Sequence, residues 1–184
     1  EDTEGRVRIG FLGRLREGQL RYSGFPYEVA RLEGDVIYDP LQGEIWRFEN
    51  LTGEHGPARI SGRGEFTQLE SSQLRLDLNV LQAMLDHELE QATVTSVPDL
   101  KTLWRDSGIR GSLDVERLSI RWSPGAPCGV TLNGIRWNNG EFQLPSLPYL
   151  WKNVSGTMDW DGSRLKIHSL HGDHGGTYLL VNGA

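Results

Sequence analysis

Three histidines, His168, His171 and His174, stand at spacing three and, with Asp173, come nearest to a metal-binding constellation in this chain. In extended backbone, residues three apart point to opposite faces, so the three imidazoles do not converge as helical i, i+4 ligands would. The run Gly172-Asp173-His174-Gly175 also has a counterpart in Gly53-Glu54-His55-Gly56. A turn used twice reads as two β connections in which glycine supplies a positive φ. Asp159 and Asp161, with Glu33, Asp35 and Asp39, have the residue types of a glycosidase acid pair. They alternate with apolar residues, however, which reads as the solvated face of strands, and nothing in the sequence argues for perturbed carboxyl pKa values. No Ser/His/Asp order, phosphate-binding Gly-rich loop or GxGxxG after a strand is present, so acyl transfer and nucleotide chemistry have no anchor. Cys128 is the one cysteine, which excludes an intrachain disulfide, a Cys-based zinc site and a CxxC pair; it reads as a small, partly buried residue of the Pro124 to Gly129 turn. Trp46, Trp137, Trp151 and Trp160 with Tyr27, Tyr38 and Tyr149 have the chemistry of a sugar-stacking platform. Those in the alternating pattern read as inner-face packing, and Trp151, Tyr27 and Tyr149 stay open between the two. The expectation is a protein without catalytic residues, metal or cofactor.

Composition narrows the partners. The chain has 184 residues, among them 23 glycines scattered along its length, which suits many tight turns and bulges joining short strands. Its 25 acidic against 19 basic residues leave a net charge of −6 with no Lys/Arg run, so a nucleic acid backbone finds no footprint. Docking on an anionic leaflet by charge is disfavoured too, although apolar surface could still bind lipid tails. No stretch reaches the 18 or so apolar residues of a membrane span, and the acidic start Glu1-Asp2-Thr3-Glu4 does not read as a signal peptide. The chain reads as a segment whose targeting signal or anchor lies elsewhere.

The elements that position these residues are organised by an internal repeat. Gly18 to Tyr27 aligns without gaps on Gly140 to Tyr149, an offset of 122 that also carries Gly34 onto Gly156, Tyr38 onto Trp160 and Asp39 onto Asp161. After a length difference in the turn at Pro40 to Gly43 the offset becomes 119, pairing the two Gly-acid-His-Gly runs and Gly64 with Gly183. Length changes confined to turns are what duplicated β structure tolerates. Within each copy Val36 and Tyr38, and their counterparts Met158 and Trp160, alternate with Asp35, Asp39, Asp159 and Asp161. In the next strand Trp46 and Phe48 match Leu165 and Ile167, with Arg47 and Lys166 on the opposite face. Ala58, Ile60 and Phe66 continue the face, matched by Leu179 and Val181. Between the copies Leu74, Leu76 and Leu78 alternate as a strand, then Leu81, Leu85 and Leu89 recur at spacing four as an amphipathic turn. Beyond Pro98, the stripe Leu100, Leu103 and Trp104 with a stop at Gly108 makes a second short helix. These helices are expected to plug one end or edge of the sheet. The strand pattern resumes at Leu113 and Val115 and changes phase to Leu118, Ile120 and Trp122, which implies a bulge near Arg117. The expected fold is mainly β: a two-repeat antiparallel curved sheet, taco-like or an open sandwich, with one or two short helices between repeats. Its expected parts are residues 5–80, a helical connector 81–108 and residues 109–184.

Phe25-Pro26-Tyr27, the glycine-led strand to Tyr38-Asp39, and the strand closing in Leu51-x-Gly-x-His-Gly resemble the repeating unit of AsmA-like, TamB-related envelope proteins. The central stretch from Leu74 to Asn79 through Leu85-Asp86 and Leu100 to Trp104 and Gly108 is similar to the strand, short-helix and restart segment of such chains of the planctomycete type. The resemblance implies a long curved sheet whose apolar inner face shields acyl chains moving between membranes, a periplasmic or cell-envelope location, and an inner-membrane anchor outside this segment. The lipid-facing residues expected on this reading are Val36, Tyr38, Trp46, Phe48, Ile60, Met158, Trp160, Leu165, Ile167 and Leu179. Phospholipid acyl chains and other envelope proteins are the expected partners. An extracellular β-sandwich module binding glycan or protein, its two apolar faces packed on each other, is the alternative.

Overall fold

The computed structural model describes residues 9–40, 44–68, 72–144 and 146–183. The turn at Pro40 to Gly43, where the repeat offset changes, includes residues 41–43, outside the described residues. So do residues 5–8 of the expected first repeat. Among the described residues ten strands run in order: β1 Phe11–Tyr22, β2 Phe25–Tyr38, β3 Ile45–His55, β4 Ala58–Thr67, β5 Gln73–Met84, β6 Arg110–Trp122, β7 Gly129–Leu144, β8 Leu147–Trp160, β9 Leu165–His174 and β10 Thr177–Val181. Each pairs antiparallel with its neighbour in the chain, giving one ten-stranded sheet in sequence order that is curved and unclosed. Helices α1 His87–Ser96 and α2 Leu100–Ser107 lie between β5 and β6.

The repeat is written into the backbone. At offset 122, β2 and β8 coincide end to end, and the positive-φ residues Glu17 and Arg31 recur as Asn139 and Asn153. At offset 119 the turn glycine Gly56, with φ 53°, recurs as Gly175, with φ 54°. The irregularity between Glu49 and Thr52, where β3 pairs with β2, has a counterpart between Ile167 and Ser169, where β9 pairs with β8. A leucine lies over a glycine in both copies. An added Cβ on Gly34 would fall 2.8 Å from Leu51 Cδ2, and on Gly156 it would fall 2.9 Å from Leu170 Cδ1 and 2.4 Å from the Ser169 carbonyl oxygen. Large and small side chains thus alternate across strands, and the glycines are required by the leucines they face.

Both halves share one apolar face because cross-strand partners keep it in register. Tyr38 pairs with Trp46, Trp46 with Phe66, Phe66 with Leu74 and Leu74 with Trp122. One step along, Val36, Phe48, Gly64, Leu76, Ile120 and Val130 form the next row. Two residues further, Leu78, Leu118, Leu132, Trp160 and Leu165 carry the face into the second copy. The expected phase change in β6 is present: Leu78 faces Leu118 but Val80 faces Val115, leaving Glu116 and Arg117 opposite Asn79.

The helices begin later than the leucine spacing implies. Leu81 stays in β5, which runs to Met84, and β6 starts at Arg110. The Asp86 carboxylate accepts from the Glu88 and Leu89 amides at 3.1 and 3.0 Å and so sets the start of α1. Spacing four was insufficient to move Leu81 because its strand already has a ladder partner in Arg59. Gly108, at φ 54°, ends α2 as its spacing implies. Cys128 also differs from expectation: it is exposed, as is the whole stretch from Pro124 to Cys128.

Gly156→Ala is expected to lose about 1–3 kcal/mol of unfolding free energy, because the new methyl meets a carbonyl oxygen that the ladder holds in place. Chemical denaturation checks this, and Leu170→Ala in the same background should recover little of the loss.

Candidate functional site

The apolar face is covered unevenly. Its buried cluster includes Ala58, Val80, Ala83, Val115, Ile135, Trp137, Phe142, Trp151, Val154, Met158 and Leu170, the first six of these lying in β4 to β7 and the rest in β7 to β9. The helix pair sits over one end of this face, α1 against β2 and α2 against β7. The Trp137 indole donates to the Arg110 carbonyl at 3.0 Å, and Ala92 of α1 is fully buried. Toward the opposite end, Trp46, Phe48, Phe66 and Leu74 are half-buried, and Phe11 and Trp122 are exposed. The face therefore grades from a packed core under the helices to an open apolar surface.

Of the ten residues read as groove-lining, all lie on this face, at unequal depths. Val36, Tyr38, Trp46, Phe48, Ile60, Trp160, Ile167 and Leu179 are half-buried, Met158 belongs to the buried cluster, and Leu165 is 51% exposed. Leu165 opens β9 at the uncapped end, where neighbours run out. On the opposite face Lys166 is exposed and Arg47 half-buried. Among the aromatics left open, Tyr27 and Trp151 are buried and Tyr149 is exposed. Leu51, Gly62 and Leu78, none of them among the expected groove-lining residues, line a shallow depression across β3 to β6, together with Asn50, Arg63 and Asp77. The small-residue alternation Gly62, Gly64 was the available signal.

Four outer-face carboxylates bond to residues at the bulges. Asp35 accepts from the Asn50 side chain at 2.9 Å, Asp114 from the Gln82 amide at 2.8 Å, Asp159 from the Gly134 amide at 2.7 Å, and Asp173 from the Asn153 side chain at 2.7 Å. All four donors belong to residues with positive φ. A bulge bends its strand, so these acids pin the curvature from the outer face. The bonds also move pKa values, contrary to the sequence reading. Asp35 is lowered by the Asn50 bond and then by Arg14, Asp159 by the Gly134 amide and then by His168, and Asp161 by the Arg164 and Ser163 amides of its turn. These groups are held ionised, the opposite of what a general acid requires.

The histidines disperse. His168 Nε2 lies 2.7 Å from Asp159, and His174 Nδ1 donates to the Leu150 carbonyl at 3.0 Å. Among the described residues no group of three or more His, Cys, Asp or Glu side chains is placed to hold an ion. His55, the counterpart of His174, donates from Nδ1 to the Glu28 carbonyl at 2.6 Å, the carbonyl 122 residues before that of Leu150. Its Nε2 lies 2.9 Å from Glu88 of α1, and its ring stacks on Tyr27 at 3.7 Å. Burial first, then the Asp86 and Glu88 carboxylates, push Tyr27 up to about 12. Among the described residues no helix is long and apolar enough to cross a membrane.

Because Asp35, Asp159 and Asp161 are depressed in the folded state, their contribution is present above the ordinary carboxylate value of about 3.9 and is lost as pH falls through the lower folded values. Melting temperature should therefore hold from pH 7 to about pH 5 and fall below about pH 4. Asp159→Asn keeps an acceptor for Gly134 but removes one titrating group, so its acid limb should be shallower than the parent's in the same pH series.

No protein-family model matches the chain, and neither a curated protein nor a solved structure is significantly similar to it.

Proposed function

We propose that this chain is a non-enzymatic segment of an AsmA-like cell-envelope protein, and that its sheet shields or guides phospholipid acyl chains along the apolar face. The observation that carries the reading is the single face shared by both repeats: continuous apolar rows cross the strands, and the helices among the described residues pack on β2 and β7. Water against such rows costs about 25 cal/mol per Å² of apolar surface, which an acyl chain laid along them would relieve. Binding of this kind needs burial and no reacting group, consistent with Asp35, Asp114, Asp159 and Asp173 bonded to bulge residues and with His55, His168 and His174 bonded to carbonyl or carboxylate partners. The periplasmic location, the inner-membrane anchor outside the chain and the envelope-protein partners rest on the repeat resemblance. The sandwich-module alternative has the two apolar faces packed on each other; the strand order, which makes the two repeats halves of one sheet, supports the groove reading over it.

A photoreactive residue placed at Phe48, on the apolar face, should crosslink to phospholipid acyl chains, and one placed at Arg47, on the opposite face, should not. Val36→Asp should keep the fold, because its half-buried site can hydrate a carboxylate, yet lose most of the Phe48 crosslink. Met158→Asp puts the charge into the buried cluster and should cost roughly 3 kcal/mol or more by thermal melting. Equal crosslinking from both faces, or none from Phe48, would sink the proposal.

A further inference from the structure

The two repeats differ in one respect that points to a partner. In the first copy Tyr27 and His55 form a seat at the end of the apolar face, and α1 occupies it: Glu88 meets His55 Nε2 at 2.9 Å, and Ser96 Oγ donates to the Gly24 carbonyl. In the second copy the same seat is built again. Tyr149 packs on His174 with ring centroids 5.0 Å apart, His174 Nδ1 is held by the Leu150 carbonyl, and Gly175 repeats the Gly56 turn. No helix among the described residues packs on it, since α1 lies on β2 and α2 on β7. Tyr149 is 52% exposed where its counterpart Tyr27 is 9% exposed.

The strand edge beside this seat is open in the matching way. In the first copy β4 pairs with β5, and β5 leads directly into α1. Its counterpart β10 pairs with β9 and, among the described residues, with no strand on its other side. On the outer face β10 carries Tyr178, 83% exposed, and Leu180, 61% exposed, where β4 carries Arg59 and Ser61. An open edge with large apolar side chains invites another strand, and native edges without a partner are usually blunted by charge.

From the built seat and the unblunted edge together we infer that β10 and the Tyr149–His174 seat form one docking surface for a strand-then-helix segment of the β5–α1 kind, supplied by another repeat unit of this design. The strand adds to β10 by backbone hydrogen bonds, and its helix, entering through an aspartate cap, places a first-turn glutamate against His174 Nε2 as Glu88 does against His55. Repeat architectures bury their faces by such stacking of neighbouring units. The inference does not depend on what the apolar face binds.

The offset of 119 sets Ala184 where Glu65 stands, so the test appends a copy of residues 66–108 after Ala184 of the intact chain. Amide exchange across Thr177 to Val181 is expected to slow about tenfold or more, and the Tyr149 and His174 ring resonances should shift. Glu88→Gln and Asp86→Asn made in the appended copy alone should return the ring resonances toward the parent's while leaving β10 protected. An extension that leaves β10 exchange and the two rings unchanged, or a scrambled extension that protects them equally, overturns the inference. If the extended chain does not fold, the parent is titrated with a synthetic peptide of residues 72–97: saturable shifts at Tyr149 and His174, absent in His174→Ala, support it, and no shift at millimolar peptide overturns it.

Discussion

A sheet of ten strands with one apolar face has to put that face against something other than water, and the rest of this structure is arranged around that requirement. Pairing strands only with their chain neighbours makes the sheet easy to extend but supplies no second layer. The two helices between β5 and β6 cover one end, and the buried cluster spreads from there across β4 to β9. At the other end the same rows of Trp, Phe and Leu continue with partial cover. Leucines fitted over glycines keep the face smooth, and the outer acids that clamp positive-φ residues keep it bent.

Much of this was legible in the residues. Period-2 alternation in two aligned copies located the apolar face, because a register slip by one would have reversed every side chain at once. The phase change at Arg117 identified a bulge, and Gly108 identified a helix end, each from a local rule with a steric cause. The Gly-acid-His-Gly turns read correctly as connections, although their histidine's role, donating to a carbonyl on the neighbouring strand, depends on strand pairing and could not be read locally.

What escaped the sequence was set by tertiary context. Leu81 fits a helical spacing, but the strand ladder holds it, and an aspartate cap starts the helix further on. Residues of one type at equivalent positions end at different depths: Tyr27 is buried by α1, and Tyr149, with no helix above it, is exposed. Alternation says which face a side chain takes; depth on that face depends on where the covering elements land. The same holds for the carboxylates. Their alternation placed them outside, but their bonds to bulge residues follow from backbone irregularities that only the assembled sheet displays.

The central claim is that the open part of the apolar face accepts acyl chains, and the most direct measurement is mass spectrometry of the intact chain after incubation with phospholipid vesicles and removal of free lipid. The account predicts phospholipid retained with the folded protein and released on unfolding. A folded chain that carries no lipid under these conditions would contradict it.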